Sequence, residues 1–418
     1  MSLSNISLSA SVRQNLLSLQ DTANLLSTTQ TRLASGKKVN SALDNPTNFF
    51  TAAGLDARAS DISNLLDSIG NGVQVLQAAN TGITSLQKLV DTAKSIANQA
   101  LQQPSGYSTK ANVDFTGAST ATGTATATDL NAGALTAGAF TFTDSSGTDV
   151  TITIGATASA YDSTSHAATV KSVDDFNKAL SDAGLNLSVS LKSATVLTFT
   201  STNDGASQTL TTGTAAPTAA PAAGTVSIAA AASVATIGTV NAAVADATSQ
   251  TARSSLVAQY NQIIQQITTT AQDASFNGVN LLNGDTLKLV FNETGKSTST
   301  ITGVTFDPNG LGLKSLTAGT DFIDNTSTNS VLTALNNASI TLRSQASAFG
   351  ANLSIVQIRQ DFSKNIINVL QTGSANLTLA DSNEEAANSQ ALSTRQSIAV
   401  SALALANQSQ QSVLQLLR

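Results

Sequence analysis

The sequence predicts an α+β protein in which both chain ends form long coiled-coil or rod-like helices and the middle forms an inserted, mainly β domain. Three observations predict this arrangement. Prolines, which break helix interiors, leave long uninterrupted segments near both ends. Apolar residues recur every seven positions in those segments, whereas the middle is rich in Ala, Thr, Ser and Gly. The prolines stand at Pro46, Pro104, Pro217, Pro221 and Pro308.

Residues 1–46 are predicted to form an inner coiled-coil helix followed by a connector. One row of apolar residues, named below, has a spacing of seven, and a second row lies beside it at Leu16, Ala23 and Gln30. The two rows together indicate a coiled-coil seam with one polar layer. Together with Leu16, the first row gives the predicted inner-core residues of this helix. That row consists of Val12, Leu19, Leu26 and Leu33.

Residues 47–103 are predicted to form a single rod helix, which would extend about 85 Å at about 1.5 Å per residue. A helix of this length is far longer than the usual globular helix and favours a rod-like bundle. Its strongest apolar row gives the predicted rod-packing residues of the N-terminal half. They are Ile62, Ile69, Leu76, Ile83 and Val90.

The C-terminal half repeats this organisation. Residues 251–372 are predicted to form rod helices with a small β-hairpin within 285–325, and their rod-packing residues are Leu342, Phe349 and Val356. Gly373 interrupts the pattern, so residues 373–418 are predicted to form a C-terminal inner coiled-coil helix. The inner-core residues predicted on that helix are Leu392, Ile398, Ala399, Leu403, Ala406, Val413 and Leu417.

Residues 104–250 are predicted to form the surface-exposed, mainly β insert. Phe140 and Phe142 alternate before a turn at 144–147, and Val150, Ile152 and Ile154 alternate after it, which predicts a β-hairpin. A second hairpin is predicted around 187–199, and a short helix between the two around 173–180. The stretch 213–226, rich in Ala, Pro and Thr, is predicted to be a loop.

The composition excludes several classes of function. Only 11% of the 418 residues are charged and the net charge is −6, which argues against a basic groove for nucleic acid. Cysteine is absent, so neither a disulfide framework nor a thiolate metal site can form. No apolar stretch approaches the roughly 20 residues that span a bilayer. The first residues also lack the basic and apolar regions of a secretory signal.

A search for reactive residues predicts no enzyme. His166 is the only histidine, so a zinc site with two histidines at helical spacing is excluded. The sequence Gly36-Lys37-Lys38 lacks the remaining spacing of a phosphate-binding loop, which favours a turn with solvated lysines. We therefore predict no catalytic residue, no metal ligand and no cofactor.

Three motifs resemble those of the bacterial flagellin family. The stretch 33–46, LASGKKVNSALDNP, resembles the flagellin connector between the first two helices, and 275–284, SFNGVNLLNG, resembles a flagellin turn. The most specific stretches are 386–396, AANSQALSTRQ, and 406–414, ANQSQQSVL. The resemblance covers roughly the first 100 and the last 165 residues, and the insert carries no motif of the family.

The resemblance implies a structural subunit of the flagellar filament, secreted to the extracellular flagellum and used for swimming motility. It implies that the terminal helices pair in the filament core, that the rod helices surround them and that the insert faces solvent. The implied partners are further copies of the chain in a helical polymer, the flagellar type III export apparatus with a chaperone, and the filament cap and hook-junction proteins. Export of the unfolded chain is also implied.

The physical chemistry of the two ends favours folding during assembly. Each terminal segment holds on the order of ten large apolar side chains worth about 2 kcal/mol each when buried, whereas ordering each residue costs roughly 1–2 kcal/mol. We therefore predict that residues 1–40 and 380–418 are largely disordered in the monomer and fold against neighbouring copies.

Three other functions stay open at the level of the sequence. A hook–filament junction protein would share similar termini but would occupy a single ring. A secreted adhesin would use the β insert to bind glycans. An enzyme carried on the insert is disfavoured by the search for reactive residues.

Overall fold

The computed structural model describes residues 10–117, 123–133, 135–231 and 234–416. Long helices occupy the two ends of this range and strands occupy its middle, which confirms the predicted α+β class. The helices are α1 (Ala10–Ser35), α2 (Pro46–Gln102), α3 (Val173–Asp182), α4 (Ala247–Asp273), α5 (Asn325–Thr378) and α6 (Ser382–Leu416).

Most strands lie between α2 and α4. A short 3-10 helix, Leu130–Ala132, lies among them. The strands are β1 (Tyr107–Thr109), β2 (Asn112–Gly117), β3 (Ala139–Thr143), β4 (Asp149–Ile154), β5 (Ser159–Asp162), β6 (Ala167–Val170), β7 (Leu187–Ser193), β8 (Val196–Ser201), β9 (Thr209–Gly213), β10 (Thr225–Ala230), β11 (Val234–Ile237), β12 (Val244–Ala245), β13 (Thr286–Val290) and β14 (Thr298–Thr302).

The chain divides into two compact units. The first unit, called the terminal unit below, comprises Met1–Gln74, Leu287–Ile301 and Asn352–Arg418. The second, the central unit, comprises Val75–Thr286 and Thr302–Ala351. The central unit contains the segment between α2 and α4, residues 104–246, which we call the insert.

The insert is built mainly from two sheets and α3, with a third, two-stranded sheet of β1 and β12. One sheet has the strand order β5-β6-β4-β3-β10-β9 and the other has the order β11-β2-β8-β7. Both predicted hairpins are confirmed: Phe142 pairs with Val150 between β3 and β4, and Val189 pairs with Phe199 between β7 and β8. The predicted loop at 213–226 includes the end of β9 and the start of β10, which pair in parallel.

Aromatic rings fill the centre of the insert. Because side chains alternate between the two faces of a strand, one face of β2, β3 and β8 sends its phenylalanines to a common centre. The Phe199 ring lies 5.2–5.5 Å from four other rings, and three of these contacts are edge-on. All five rings are fully buried: Phe115, Phe140, Phe142, Phe176 and Phe199.

The predicted short helix is α3, and a capping box fixes its start. The Ser172 hydroxyl accepts from Asp175 N at 3.0 Å, and the Asp175 carboxylate accepts from Ser172 N at 3.1 Å. These hydrogen bonds satisfy two backbone groups that the first helical turn leaves free. They also hold the pKa of Asp175 below its ordinary value, chiefly through the hydrogen bonds from Ser172.

Two predicted boundaries differ from the structure. We predicted that the insert ends at residue 250, but α4 begins at Ala247 because the Asp246 carboxylate caps Ser249 N at 2.9 Å. We also predicted a break at Gly373, but α5 continues to Thr378. A glycine costs a helix only about 1 kcal/mol. A Cβ at Gly373 would already lie 3.5 Å from Leu55, so the absent side chain leaves no gap.

A buried arginine joins the insert to the helices of the central unit. Arg253 on α4 is 2% exposed, and its guanidinium donates to the carbonyl oxygens of Gln103, Pro104 and Phe322 at 3.2, 3.0 and 2.6 Å. Phe322 has a φ of +56°, a strained value for a bulky residue. Arg253 therefore fixes both the chain leaving α2 and the strained turn before α5.

The motif at 275–284 closes the C-terminal end of α4. Asn277 and Gly278 take positive φ values of 50° and 80° in a tight turn. Asn280 Nδ2 then donates to the carbonyl oxygens of Ala271 and Gln272, both at 2.8 Å, which satisfies acceptors that the helix end leaves free. A Cβ at Gly82 would lie 2.6 Å from Leu282, so the glycine allows α2 to approach this turn closely.

Candidate functional site

The terminal helices α1 and α6 pack against each other as a pair. On α1, Val12 is buried and Leu19 and Leu26 are half-buried, in line with the predicted first row. The second row consists of Asn15, Thr22 and Thr29, one residue earlier than the predicted Leu16, Ala23 and Gln30. Thr22 and Thr29 are buried, so the seam between the two helices is half polar.

The seam on α6 is also built from small and polar side chains. Glu385 is buried, and half-buried residues follow it at spacings of three and four. Of the predicted inner-core residues, four lie in this seam, whereas Ile398 is 64% exposed. The Val413 side chain and Leu417 lie outside the described residues. The half-buried residues are Ser389, Leu392, Gln396, Ala399, Leu403 and Ala406.

Large apolar side chains of this helix pair are also exposed. On α1, Leu16 and Leu33 are 37% and 41% exposed, so the packing predicted for them, as for Ile398, stays a prediction. Leu17 and Leu25 are exposed by more than half, as are Val400 and Leu405 on α6. We call the residues Leu16, Leu17, Leu25, Leu33, Ile398, Val400 and Leu405 the outer apolar face.

One ion pair lies at the end of the seam. Arg32 Nη1 lies 3.5 Å from Glu385 Oε1, with side chains that are 35% and 11% exposed. Arg32 Nε is buried and has no hydrogen-bond partner among the described residues. Glu384 and Glu385 also stand in the first turn of α6, where the helix dipole favours negative charge. A partly exposed pair of this kind contributes little to stability.

The connector at 33–46 holds the two helices in register. Lys38 N donates to Thr378 O at 2.7 Å, and Ala380 N donates to Gly36 O at 2.9 Å. Gly36 adopts a φ of +66°, which glycine reaches without steric cost. These backbone hydrogen bonds, which we call the clasp, place the end of α1 beside the start of α6. The register therefore does not depend on the half-polar seam.

A carboxylate organises the second half of the connector. Asp44 Oδ2 accepts from Ser41 N at 2.9 Å and Asn40 N at 3.0 Å, and also from the Ser41 hydroxyl. These hydrogen bonds hold the pKa of Asp44 below its ordinary value, with Ser41 N as the largest cause. Asn45 Oδ1 then accepts from Asn48 N at 3.1 Å, and Pro46 begins α2 as a preferred first helical residue.

The β13–β14 hairpin packs on the helices of the terminal unit. The Leu289 side chain occupies the place of the missing Gly72 side chain, where a Cβ would meet it at 2.4 Å. Arg58 Nε lies 2.7 Å from Glu293 Oε1, and the Arg359 guanidinium lies 5.7 Å from the centre of the Phe291 ring. The hairpin therefore buries Leu289 and contacts one arginine of α2 and one of α5.

The predicted rod-packing residues are all buried. Each of them is at most 5% exposed: Ile62, Ile69, Leu76, Ile83, Val90, Leu342, Phe349 and Val356. In the terminal unit, Ile62 packs in a small core with Ala59 and Leu370. The same helix α5 leaves other large side chains open: Ile355, Ile358, Phe362 and Val369 are each at least 51% exposed. Apolar groups thus occupy both the buried and the open face of α5.

The described residues offer little reactive chemistry. None of the described helices is both long and apolar enough to cross a bilayer. Across the described ranges, no three acidic or histidine side chains gather into a metal site. His166 Nδ1 lies 3.0 Å from the Tyr161 hydroxyl at the surface of the insert. The more prominent feature of the described residues is the set of large apolar side chains that are exposed on α1, α5 and α6.

Comparison with known proteins places the two ends of the chain in one family. Residues 6–114 match the bacterial flagellin N-terminal helical region, and residues 332–417 match the C-terminal helical region. Flagellin FljM of Caulobacter vibrioides is 33% identical over 179 residues, which are 42% of this chain and 64% of the relative. The flagellin of Brucella melitensis biotype 1 is 27% identical over 176 residues, 40% of this chain and 62% of that relative.

Flagellin A of Helicobacter pylori is 32% identical over 81 residues, 19% of this chain and 16% of the relative. The aligned part of the chain thus spans less than two thirds of the length of these relatives. The matched regions contain the whole of α1, α2 and α6, the clasp and most of α5. The two ends of the chain match the two helical regions of the bacterial flagellin family.

Proposed function

We propose that the chain is a structural subunit that polymerises into the bacterial flagellar filament. The observation that carries this proposal is the outer apolar face of α1 and α6. Three of its leucines, Leu17, Leu25 and Leu405, are 61%, 53% and 68% exposed. Exposed large apolar side chains of this kind mark sites of protein–protein contact, and further copies of the same helices offer a matching surface.

The energetics of the helix pair support assembly as the step that stabilises it. The seam buries two threonines where a stable coiled coil would bury aliphatic side chains. Each large apolar side chain that moves from water into a contact contributes about 2 kcal/mol. The outer apolar face therefore has more to gain from neighbouring copies than the seam contributes within one chain.

The open face of α5 extends this interface. Ile355, Ile358 and Phe362 follow one another at spacings of three and four, which places them on one side of the helix. We propose that they pack against the helices of a neighbouring copy. The insert carries the aromatic core and none of the family motifs, so we propose that it faces solvent on the filament surface.

The proposed route to the filament needs further partners. We propose that the flagellar type III apparatus, with a chaperone, exports the chain unfolded, and that the cap and hook-junction proteins receive it outside the cell. The absence of cysteine supports this route, since no disulfide would resist unfolding. We propose no catalytic step. We propose that the assembled filament serves swimming motility.

Seeded polymerisation tests the proposal. Leu405→Asp would place a carboxylate in the outer apolar face, and we expect the critical concentration for growth to rise at least about tenfold, because burying an unpaired charge costs well over 1.4 kcal/mol. Ser145→Asp is the matched control. It adds the same charge in an exposed turn of the insert.

Electron microscopy of the products measures filament length directly. Normal growth of Leu405→Asp, or equal loss of growth in both variants, would contradict the proposal. Quantification of the chain in purified flagella separates the filament subunit from a junction protein. Thousands of copies per flagellum are expected for the former, and only a handful for the latter.

A further inference from the structure

A cleft in the central unit lies between the insert and the start of α5. Its volume is about 450 Å³, within the usual range for small-molecule sites, which often lie where two substructures meet. The insert contributes the turn with Asp144 and Ser145 and the segment with Gln208. The start of α5 contributes Asp324 and Ser330.

Hydrogen bonds fix both walls of this cleft. The Ser207 hydroxyl donates to Asp324 Oδ2 at 2.5 Å, while Asp324 Oδ1 accepts from Ser327 N at 2.9 Å. Thr326 N donates to Asp204 O at 3.0 Å, and Asn325 Nδ2 donates to Asp204 Oδ1 at 2.9 Å. The cleft is therefore already formed without a ligand, which removes the ordering cost that a flexible site would add.

The lining has an excess of hydrogen-bond acceptors. Asp144 and Asp324 contribute carboxylates, and none of the described residues that line the cleft is Lys, Arg or His. Asn186 Nδ2 donates to Thr326 Oγ1 at 3.1 Å, so the amide carbonyl oxygen of Asn186 adds a further acceptor to the lining.

The chemistry of the lining narrows the class of ligand. An anion would be repelled by the two carboxylates, and an aromatic ligand would find no aromatic partner in the described lining. Serine and threonine hydroxyls alternate with the apolar side chains of Leu185, Val226 and Ile323. Such a mixture suits a ligand that carries several O–H donors on a carbon ring.

We propose that this cleft binds a neutral, hydroxyl-rich molecule of the size of one or two sugar rings. Its hydroxyl groups donate to Asn186 Oδ1 and to the Asp144 carboxylate, while its C–H face lies on the apolar side chains. The proposal is independent of filament assembly, because it uses none of the residues of the outer apolar face.

Ligand-observed NMR on the full-length monomer tests the proposal. The probes are glucose, galactose, mannose and their N-acetylated forms, with glucuronate as an anionic counterpart and calcium chloride as a separate arm. We expect at least one neutral sugar to bind with a dissociation constant in the millimolar range, roughly 1 mM, and glucuronate to bind at least about tenfold more weakly.

Variants on opposite walls locate the site. Ser330→Tyr and Ser145→Tyr each place a ring in the cleft and are expected to abolish the signal. Asn329→Tyr, at the neighbouring exposed position of α5 that does not line the cleft, is the matched control and is expected to leave it unchanged. Asn186→Leu removes the amide carbonyl oxygen and is expected to weaken binding about fivefold.

Three results would overturn the proposal. They are no binding of any neutral sugar, binding that survives both blocking variants, and binding of calcium with none of the sugars. Circular dichroism of each variant checks that the fold is kept. If Ser330→Tyr fails to fold, Ser145→Tyr decides the question alone, since it stands in an exposed turn of the insert.

Discussion

The aromatic core of the insert and the pair of terminal helices use apolar side chains in opposite ways. In the insert, five phenylalanines are fully buried and make mostly edge-on contacts with one another. In the helix pair, the seam buries Thr22 and Thr29, while Leu17 and Leu405 are exposed by more than half. The two regions therefore differ in what covers their apolar side chains. The insert buries them within one chain, whereas the helix pair leaves them exposed for neighbouring copies to cover.

Truncating a ring in the insert should give the largest loss of stability. Phe199→Ala removes a side chain that touches four other rings and leaves a cavity, so we expect the central unit to lose about 3–5 kcal/mol of unfolding free energy. Urea unfolding of the monomer measures it.

Phe362→Ala is the matched control for this change. Its ring is 58% exposed on α5, so we expect monomer stability to change by less than about 0.5 kcal/mol. Polymerisation should nevertheless weaken. Equal losses of monomer stability in the two variants would remove the distinction between buried core and assembly surface.

Arg253 gives the next largest expected effect. Arg253→Met keeps most of the apolar stem but leaves three carbonyl oxygens without their donor, and we expect a loss of about 3 kcal/mol. Arg343→Met replaces an exposed arginine on α5 and should change stability by less than about 0.5 kcal/mol. Amide exchange should show the loosening near Gln103 and Phe322. Unchanged protection there would contradict the role assigned to Arg253.

Alkaline pH should destabilise the central unit through Tyr260. Burial, and to a smaller degree the charge of Asp321, raise the pKa of Tyr260 from 10.0 to about 12. The pKa of Tyr260 is higher in the folded chain than in the unfolded chain, so the neutral hydroxyl favours the folded state. This contribution to stability is fully present below pH 10 and is lost as pH rises towards 12. The loss should reach roughly 2 kcal/mol.

Tyr260→Phe keeps the edge-on contact with Phe322 and removes the titrating hydroxyl. Unfolding free energies at several pH values between 8 and 12 compare the two proteins. The variant should lose less stability than the parent across this window. Parallel curves for both proteins would show that other groups cause the alkaline loss.

The Arg32–Glu385 ion pair should have the smallest effect on the free energy of unfolding. Arg32→Gln removes a partly exposed partner of Glu385, and we expect about 0.5–1 kcal/mol. The more exposed pair Lys178–Asp182 on α3 is the reference, and Lys178→Gln should cost less. Exchange of the charges, Arg32→Glu with Glu385→Arg, should restore part of the loss. A loss above about 2 kcal/mol would mean that the pair, and not the clasp, sets the register.

The sequence predicts the helices of this protein better than their faces. Proline spacing and heptads located α1, α2, α5 and α6, because periodic apolar residues are a strong local signal. The seam of α1 lies one residue from the predicted second row because buried threonines carry no apolar signal. Only the packed structure distinguishes Thr22 from Leu16.

The start of α4 and the contacts of Arg253 were harder to predict. Asp246 followed by Ser249 is a cap signal that would have located the start of α4. The role of Arg253 has no local signal, since its three acceptors come from segments about 70 and 150 residues away in the sequence. The cleft beside α5 also has no local signal in the sequence, since its walls come from five separate segments of the chain.

Amide hydrogen exchange on the monomer and on the assembled filament tests the central claim most directly. The account predicts that α1 and α6 exchange rapidly in the monomer and become strongly protected in the filament, while β3 and β8 of the insert are protected in both. Strong protection of α1 and α6 in the monomer, equal to that of the insert, would contradict it.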